Sequence, residues 1–115
     1  MRIPSDAIIP AGKIQRYLLV PRKANDKSKY LARAGFGLTT SEQLASEIHR
    51  LTAGADAQFD RANEHGEFYN VIGSLVGPSG MELPVKLVWL RRLDGVFTFV
   101  TLVPDTRRSN DSEAL

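Results

Sequence analysis

The sequence predicts an α+β fold, in which N-terminal helices pack on a roughly four-stranded antiparallel β-meander. Hydrophobic residues recur at helical spacing up to Gly54 and at the two-residue spacing of strands beyond it. The strand-like segments follow one another with only turn residues between them. A chain that forms helices first and strands afterwards is typical of α+β domains rather than of doubly wound α/β folds.

The N-terminal residues 1–9 are predicted to form an extended arm next to the sheet. A short helix should begin near Pro10, because proline is well accommodated in a first helical turn. Ile14 and Leu18 lie four residues apart and would share the buried stripe of this helix. Pro21 would end it, since a proline inside a helix removes a hydrogen bond and clashes with the preceding turn.

Two further helices are predicted next. The first would be capped by Asn25 or Asp26 and would end at Gly35, a residue that commonly terminates helices. The second would begin at Thr40, which has the spacing of a capping box with Gln43. Each helix carries apolar side chains at helical spacing, so each is expected to cover one face of the sheet.

Four segments have the residue types and the alternation of β-strands. They span residues 55–61, 68–76, 83–93 and 97–103. Residues 77–80, with the sequence Gly-Pro-Ser-Gly, and the pair Asp94-Gly95 supply the turns before the last two segments. Pro84 cannot donate a ladder hydrogen bond, so it marks the beginning of its strand or a free edge.

The alternation also predicts which strand residues are buried. In the last segment it places Thr101 on the same face as Phe97, Phe99 and Val103. Trp89 is expected in the core rather than on a platform for stacking nucleobases. The complete predicted core consists of Leu18, Leu31, Phe36, Leu44, Ile48, Val71, Leu87, Trp89 and Phe99.

The composition excludes several classes of protein. The 115 residues, 43% of them hydrophobic, suffice for one domain, predicted to span residues 1–104 with a disordered polar tail at 105–115. The chain has no apolar run long enough to span a membrane, and no signal peptide is expected. Because it has no cysteine and only two histidines, we expect no disulfide, no metal site, no cofactor and a cytoplasmic location.

The net charge is only +2, but the charges are unevenly distributed. Residues 13–33 contain seven basic residues and one acidic residue, whereas residues 40–82 contain seven acidic residues and two basic ones. Such asymmetry predicts an anionic partner for the N-terminal part, namely RNA or another polyanion. A solvated helical surface would account for the same lysines and arginines.

Short motifs occur in a characteristic order along residues 3–104. They are Tyr17-Leu18-Leu19-Val20-Pro21, Asp26-Lys27-Ser28-Lys29 before Gly35-Phe36, Phe68-Tyr69-Asn70-Val71 before Gly73, Gly77-Pro78-Ser79-Gly80, Val88-Trp89, and Val100-Thr101 near Pro104. In this order and spacing they resemble the uncharacterised bacterial family catalogued as domain of unknown function 6883. Members commonly have Gly-x-Ser-Lys-Ala where this chain has residues 26–30, so Lys29 is kept while the first glycine and the alanine are replaced.

The layout of helices followed by a meander is similar to the superfamily of small ribonucleases and toxins that includes barnase, EndoU and RelE. This resemblance implies a toxin-like, metal-independent ribonuclease, which needs a base, an acid and cations near the phosphate. The candidate catalytic residues are Lys29 and Arg33 on one helical face, Arg91 from the sheet and Thr101 as a hydroxyl. They could equally be exposed helix residues, a strand-end charge and a good β-former.

Anion binding is predicted separately at the start of the second helix. The free N–H groups there carry the positive end of the helix dipole, and Arg22, Lys23, Lys27 and Lys29 surround them. Asp26 would compete for the same N–H groups as a helix cap.

Two other classes of function fit the sequence. One is a non-catalytic module that binds nucleic acid or an acidic protein through the basic face. The other is a domain that associates with a cognate protein partner or inhibitor, for instance through an exposed sheet edge. A basic cleft formed by Lys29, Arg33 and Arg91 would favour the ribonuclease, and a flat basic face would favour the binding module. A large apolar patch or a paired edge strand would favour the domain that associates with a protein partner. The sequence has no signal for oligomeric state.

Overall fold

A computed structural model describes residues 1–10, 12–19 and 27–105 of the chain. Its elements are a π-helical turn at Lys13–Leu18, helix α1 at Ser28–Ala32, a 3-10 turn at Leu38–Thr40, helix α2 at Ser41–Gly54, and strands β1 at Gln58–Asn63, β2 at Gly66–Val76, β3 at Glu82–Arg92 and β4 at Phe97–Pro104. Helical elements come first and strands afterwards, so the predicted α+β fold is confirmed. None of the described helices is long and apolar enough to cross a membrane.

The four strands form one antiparallel sheet in the order β1-β2-β3-β4, so each strand pairs with its neighbour in sequence. The two central strands, β2 and β3, pair over their whole length without a register shift. Pro84 lies near the start of β3, where its carbonyl oxygen accepts the N–H of Asp105 just beyond β4. The proline, which has no N–H to donate, therefore lies at the end of the ladder between β3 and β4.

One face of the sheet, called here the core face, packs against α2 and the N-terminal segments. All nine residues predicted for the core are at most 2% exposed. Trp89 is fully buried, and its ring meets that of Phe99 edge-on with the centroids 5.5 Å apart. The indole is therefore part of the core and not a platform for nucleobases.

The alternation predicted for β4 is wrong in its second half, because the strand contains a β-bulge. Phe99 and Thr101 pair with adjacent residues of β3 although they are two positions apart, which leaves Val100 as an additional residue. A bulge of this kind reverses the faces of the residues that follow it. Leu102 is consequently fully buried in the core, while Thr101 and Val103 lie on the opposite face of the sheet.

Helix α2 begins where the sequence predicted, but the predicted capping box does not form. Thr40 makes no side-chain hydrogen bond to the first turn of α2. Its Oγ1 instead accepts the N–H of Gly37 at 2.9 Å, across the 3-10 turn that precedes the helix. The hydroxyl thus stabilises the additional turn rather than the helix that follows.

The N-terminal arm pairs with the sheet, as the sequence predicted. The N–H of Ile8 donates to the carbonyl oxygen of Phe97 at 2.9 Å, and its carbonyl accepts the N–H of Phe99 at 2.8 Å. At the beginning of the arm, the carbonyl oxygen of Met1 accepts the N–H of Ala57 at 2.6 Å. The arm therefore covers part of the β4 edge and reaches the chain just before β1.

A carboxylate and a guanidinium join α2 to β2. Glu47 accepts two hydrogen bonds from Arg50, at 2.8 and 2.9 Å, and one from the N–H of Val76 at 2.7 Å. Arg50 also donates to the carbonyl oxygen of Ser74 at 3.1 Å. The hydrogen bonds from Arg50 and from Val76 hold the pKa of Glu47 below its ordinary value.

Candidate functional site

The predicted catalytic residues Lys29, within α1, and Arg33, directly after it, lie near the end of the sheet where β3 begins. Between them in sequence, the hydroxyl of Tyr30 donates to the carbonyl oxygen of Pro84 at 2.6 Å. Lys29 is exposed, and the guanidinium of Arg33 lies 5.5 Å from the centroid of the Tyr30 ring. Both cations therefore belong to the surface around the start of β3.

Arg91 lies at the other end of β3, roughly 20 Å along the strand from the end next to α1. Its guanidinium pairs with the carboxylate of Glu67, with a nitrogen–oxygen distance of 3.1 Å. Thr101 is separate from both, on the face of the sheet turned away from the helices. The structure therefore does not bring Arg91 and Thr101 together with Lys29 and Arg33 in one cleft.

The predicted anion site at the start of the second helix falls only partly on described residues. Arg22 and Lys23 lie outside them. Helix α1 begins at Ser28 and has five residues, so its dipole is that of little more than one turn. Lys27 precedes the helix and makes no side-chain cap. Anion binding by Lys27 and Lys29 stays a prediction.

The face of the sheet turned away from the helices, called here the outer face, has a mixed surface. Strand pairing arranges its side chains in rows that cross the sheet. One row consists of Gln58, Asn70, Val88 and Thr101, and the next consists of Ile72, Lys86 and Val103. A depression of about 270 Å³ lies over these two rows. Its lining combines the apolar residues Ile72, Val103 and Pro104 with polar and charged side chains.

Two β-bulges determine what the outer face presents. In β1 the additional residue is Asp60, so Arg61 lies opposite Phe68. The Arg61 guanidinium lies 4.4 Å from the centroid of the Phe68 ring, which is only 8% exposed although it lies outside the core. In β4 the bulge at Val100 places Thr101 on the same face. Both bulges bring a polar side chain to this face, and bulges are over-represented beside active sites.

Asn70 lies in the middle of the outer face and lines the depression. Its Oδ1 atom is shielded from solvent and accepts no hydrogen bond from the described part of the chain. Buried amide oxygens normally have a partner, because an unpaired acceptor costs about 1–3 kcal/mol. Oδ1 of Asn70 is therefore a polar atom that the fold buries beside the depression without pairing it within the described residues.

Lys86 and Asp105 place opposite charges in the depression that Asn70 lines. In the ladder Lys86 is diagonal to both Asn70 and Thr101, a spacing of roughly 7–8 Å. The described ranges contain no ion-pair partner for Lys86. Asp105 is 5% exposed and lines the same depression. A cation, a carboxylate and an amide thus line one depression, while the nearby Thr101 hydroxyl donates to the carbonyl oxygen of Leu102 at 3.3 Å.

The other cations of the outer face have carboxylate partners. Arg61 pairs with Asp60 at 3.3 Å, and Arg92 pairs with Asp94 at 2.5 Å. A backbone N–H and the hydrogen bond from Arg92 hold the pKa of Asp94 below its ordinary value. Among the described cations of this face, Lys86 is therefore the one left to attract an anion.

Neither histidine lies on the outer face. His49 belongs to α2, with its ring centroid 6.4 Å from that of Trp89, and His65 is exposed in the turn between β1 and β2. Residues 1–10, 12–19 and 27–105 contain no group of three histidine or acidic side chains that could hold a metal ion. Acid–base chemistry in the depression would therefore depend on Lys86 and Asp105.

Sequence reasoning selected Thr101 but missed Asn70, Lys86 and Asp105. A signal for Asn70 was present, because asparagine is depleted in strands and this one interrupts the apolar segment 68–72. Lys86 likewise stands between two buried residues of a central strand. Asp105 had no such signal, because the sequence placed it at the start of the polar tail.

Comparison with known proteins agrees with this fold. One solved chain comes from a structure described as a contact-dependent growth inhibition toxin–immunity protein complex from Klebsiella pneumoniae 342. It matches with a TM-score of 0.66 and 19% sequence identity, over 86% of this chain and 100% of that chain. At this identity the likeness shows the fold alone.

The family comparison covers nearly the whole chain. A search of curated proteins found no match. The model of the family described as a domain of unknown function, DUF6883, matches residues 4–106. That range includes every strand and the whole outer face, and it confirms the resemblance seen in the sequence motifs. The chain therefore belongs to the DUF6883 family.

Proposed function

We propose that this domain is a toxin-like, metal-independent ribonuclease that binds single-stranded RNA on the outer face of its sheet. The observation that carries the proposal is the placement of Lys86, Asn70 and Asp105 around one depression of the outer face, with Thr101 diagonal to Lys86 in the ladder. A lysine that no described carboxylate pairs attracts a phosphate, and the aliphatic side chains of Ile72 and Val103 offer apolar contact to a base. The likeness to one chain of a toxin–immunity complex supports the same class of protein.

The chemistry needs three groups around one phosphate. The carboxylate of Asp105 takes the proton of the 2′-hydroxyl, whose oxygen then forms a bond to phosphorus. The ammonium of Lys86 stabilises the added negative charge and gives a proton to the departing 5′-oxygen. The hydroxyl of Thr101, which is diagonal to Lys86, turns from the Leu102 carbonyl to donate to a non-bridging oxygen. The products are a 2′,3′-cyclic phosphate and a 5′-hydroxyl end.

The test is cleavage of an end-labelled single-stranded RNA by the purified domain in the presence of EDTA. Lys86→Ala is expected to lower the cleavage rate at least about 100-fold, because it removes a charge that acts on the transition state. Arg92→Ala is the matched control: it removes a cation of the same strand and face that Asp94 already pairs. Its rate should stay within about threefold of the wild type.

Two outcomes would contradict the proposal. One is a wild-type protein that leaves RNA intact, and the other is an equal loss of activity in both variants. Thermal unfolding of each variant is measured alongside, so that a loss of fold is not mistaken for a loss of chemistry. Growth arrest of a bacterial host on expression of the domain is the corresponding test in cells.

Non-catalytic RNA binding by the same face is the second candidate. It is favoured by the positions of His49 and His65, which leave the outer face without an imidazole as general base. Asp105→Asn separates the two candidates. A ribonuclease would lose cleavage but keep binding, whereas a binding module would form no product in either protein. In both cases the affinity should fall steeply with added salt.

A cognate protein partner follows from the toxin-like role. The similar solved chain is part of a complex between a toxin and an immunity protein. We expect a partner of this kind to cover the outer face and to relieve growth arrest when both proteins are expressed together. Continued arrest in the presence of a tightly bound partner would place the interface elsewhere on the domain.

A further inference from the structure

We infer that the free edge of β1 pairs antiparallel with β1 of a second copy of this chain, so that the two meanders join into one continuous sheet. The inference concerns the edge of the sheet and does not depend on the proposed function. It is carried by the open edge itself, by the β-bulge at Asp60 and by the opposite charges of Asp60 and Arg61.

The two edges of the sheet differ in how they are covered. At the β4 edge, the N-terminal arm forms hydrogen bonds with Phe97 and Phe99. At the β1 edge all six strand residues are exposed, and Phe59 is 57% exposed although it lies on the core face. The arm reaches this edge only at Ala57, before the strand begins. Within the described part of the chain, β1 is therefore an open edge, which is a template for a further strand.

Strand register determines which backbone groups of β1 point away from the sheet. The first pair after the two-residue turn of the β1–β2 hairpin bonds across the ladder, and bonded and non-bonded pairs then alternate along β2. Because β2 pairs with β3 without a shift, Glu67 and Tyr69 direct their N–H and C=O groups toward β3. Their partners on β1, Ala62 and Phe59, consequently direct their own groups outward.

A second β1 placed antiparallel to the first matches these outward groups in reversed order. Phe59 of one copy then lies opposite Ala62 of the other, and the two-fold axis of a symmetric dimer repeats this pair. A pair of this kind exchanges two backbone hydrogen bonds in an antiparallel ladder. Both side chains lie on the core face, so the exposed ring of Phe59 would also contact Ala62 of the second copy.

The bulge at Asp60 favours a second copy over other strands. A bulged edge normally discourages pairing, because a regular strand has no residue to place opposite the additional one. A second β1 has the same additional residue, so Phe59 and Ala62 are equally far apart on both strands. The bulge also brings these two residues to one face, whereas simple alternation would place positions 59 and 62 on opposite faces.

The charges between the two pairs are complementary. In this register Asp60 of each copy lies opposite Arg61 of the other. The Asp60 and Arg61 side chains are 41% and 61% exposed, so a second chain can reach both. A shift of the register by one residue would place Asp60 opposite Asp60, or Arg61 opposite Arg61, and like charges directly opposite each other destabilise a strand pair.

The test is the oligomeric state of the purified domain, measured by sedimentation velocity from about 10 µM to 1 mM. Because the interface is one strand wide, we expect a weak dimer whose fraction rises with concentration. Ala62→Pro should leave a monomer, since proline has no N–H to donate outward and the ladder with β2 does not use that N–H. A wild type that stays monomeric up to about 1 mM would overturn the inference.

Charge reversal tests the register. Asp60→Arg and Arg61→Asp should each weaken the dimer at least about tenfold, because each leaves only like charges where the copies meet. Mixing the two variants in equal amounts should restore a dimer, since the two chains then carry opposite charges. Glu42→Arg is the matched control: it changes the net charge as much as Asp60→Arg, but in the first turn of α2, and should keep the wild-type association.

The mixture separates a lost contact from a lost fold, because two misfolded chains would not restore each other's association. If Ala62→Pro fails to fold, which thermal unfolding reports, the charge variants decide the question. Unchanged association in a folded Ala62→Pro, unchanged association in both charge variants, or a mixture that stays monomeric would overturn pairing through β1.

Discussion

The two faces of the sheet are built from the same strands but differ in what their side chains do. On the core face β3 contributes Val85, Leu87 and Trp89, all of them fully buried. The residues between them, Lys86 and Val88, are half-buried on the outer face. Close packing restricts the first set to a few apolar shapes, whereas the second set can carry charge and hydrogen-bonding groups. One side of the strand therefore packs the core, and the other carries the groups on which the proposed function depends.

The largest expected effect comes from adjacent substitutions on the two faces. Trp89→Ala should lower the free energy of unfolding by about 3–5 kcal/mol, because it leaves a cavity in the core. Val88→Ala, on the outer face, should lower it by only about 1 kcal/mol, since less apolar area is lost from a half-buried site. Urea denaturation of both variants measures the difference. Equal losses would mean that the two faces are equally packed.

An intermediate effect is expected at Glu47, which stabilises the contact between α2 and β2. Glu47→Gln should lower the free energy of unfolding by about 1–2 kcal/mol at pH 7, because the charged hydrogen bonds from Arg50 and Val76 are weakened. The pKa of Glu47 is lowered in the folded state, so its contribution is complete above its ordinary value of 4.5. That contribution is lost as the pH falls through the folded pKa.

Denaturation at several pH values checks the sign. The difference between wild type and Glu47→Gln should be largest near neutrality and should shrink as the pH is lowered below 4.5. Glu42→Gln is the control, because Glu42 is exposed in the first turn of the same helix. A difference that is independent of pH, or one of the same size in the control, would contradict the assignment to Glu47.

The smallest effect on stability is expected at the basic surface of α1. Lys29→Ala combined with Arg33→Ala should change the free energy of unfolding by less than about 0.5 kcal/mol per residue, since exposed positions are nearly neutral to folding. If this surface binds anions, the double variant should also weaken RNA binding and reduce its salt dependence. Unchanged affinity would mean that these cations form only a solvated surface. RNA binding would then be expected from Lys86 and not from Lys29 and Arg33.

The elements and the core followed from the sequence because periodicity alone specifies them. Leu44 and Ile48 of α2, and Leu87 and Trp89 of β3, lie at spacings that only one burial pattern satisfies. The arrangement of the outer face did not follow, because Asp60 and Val100 are additional residues in their strands. A bulge reverses the faces of later residues, and simple alternation carries no sign of it.

The candidate site was predicted less well than the fold for a related reason. Residues 13–33 contain seven basic residues and one acidic residue, so the charge pattern predicts a site at Lys29 and Arg33. A lone lysine within an apolar strand contributes little to such a count. Lys86 becomes notable only when strand register places it beside Asn70, and register is a property of pairing between distant segments.

The pairing of the N-terminal arm with β4 has a consequence for the order in which the chain folds. The four strands pair only with sequence neighbours, and such short loops close at little entropic cost. Ile8, by contrast, bridges Thr98, 90 positions further along the chain. A chain that refolds from an extended form is therefore expected to assemble the meander first and to close the arm last. The amide of Ile8 should accordingly exchange its hydrogen sooner than the amides of the central ladder between β2 and β3.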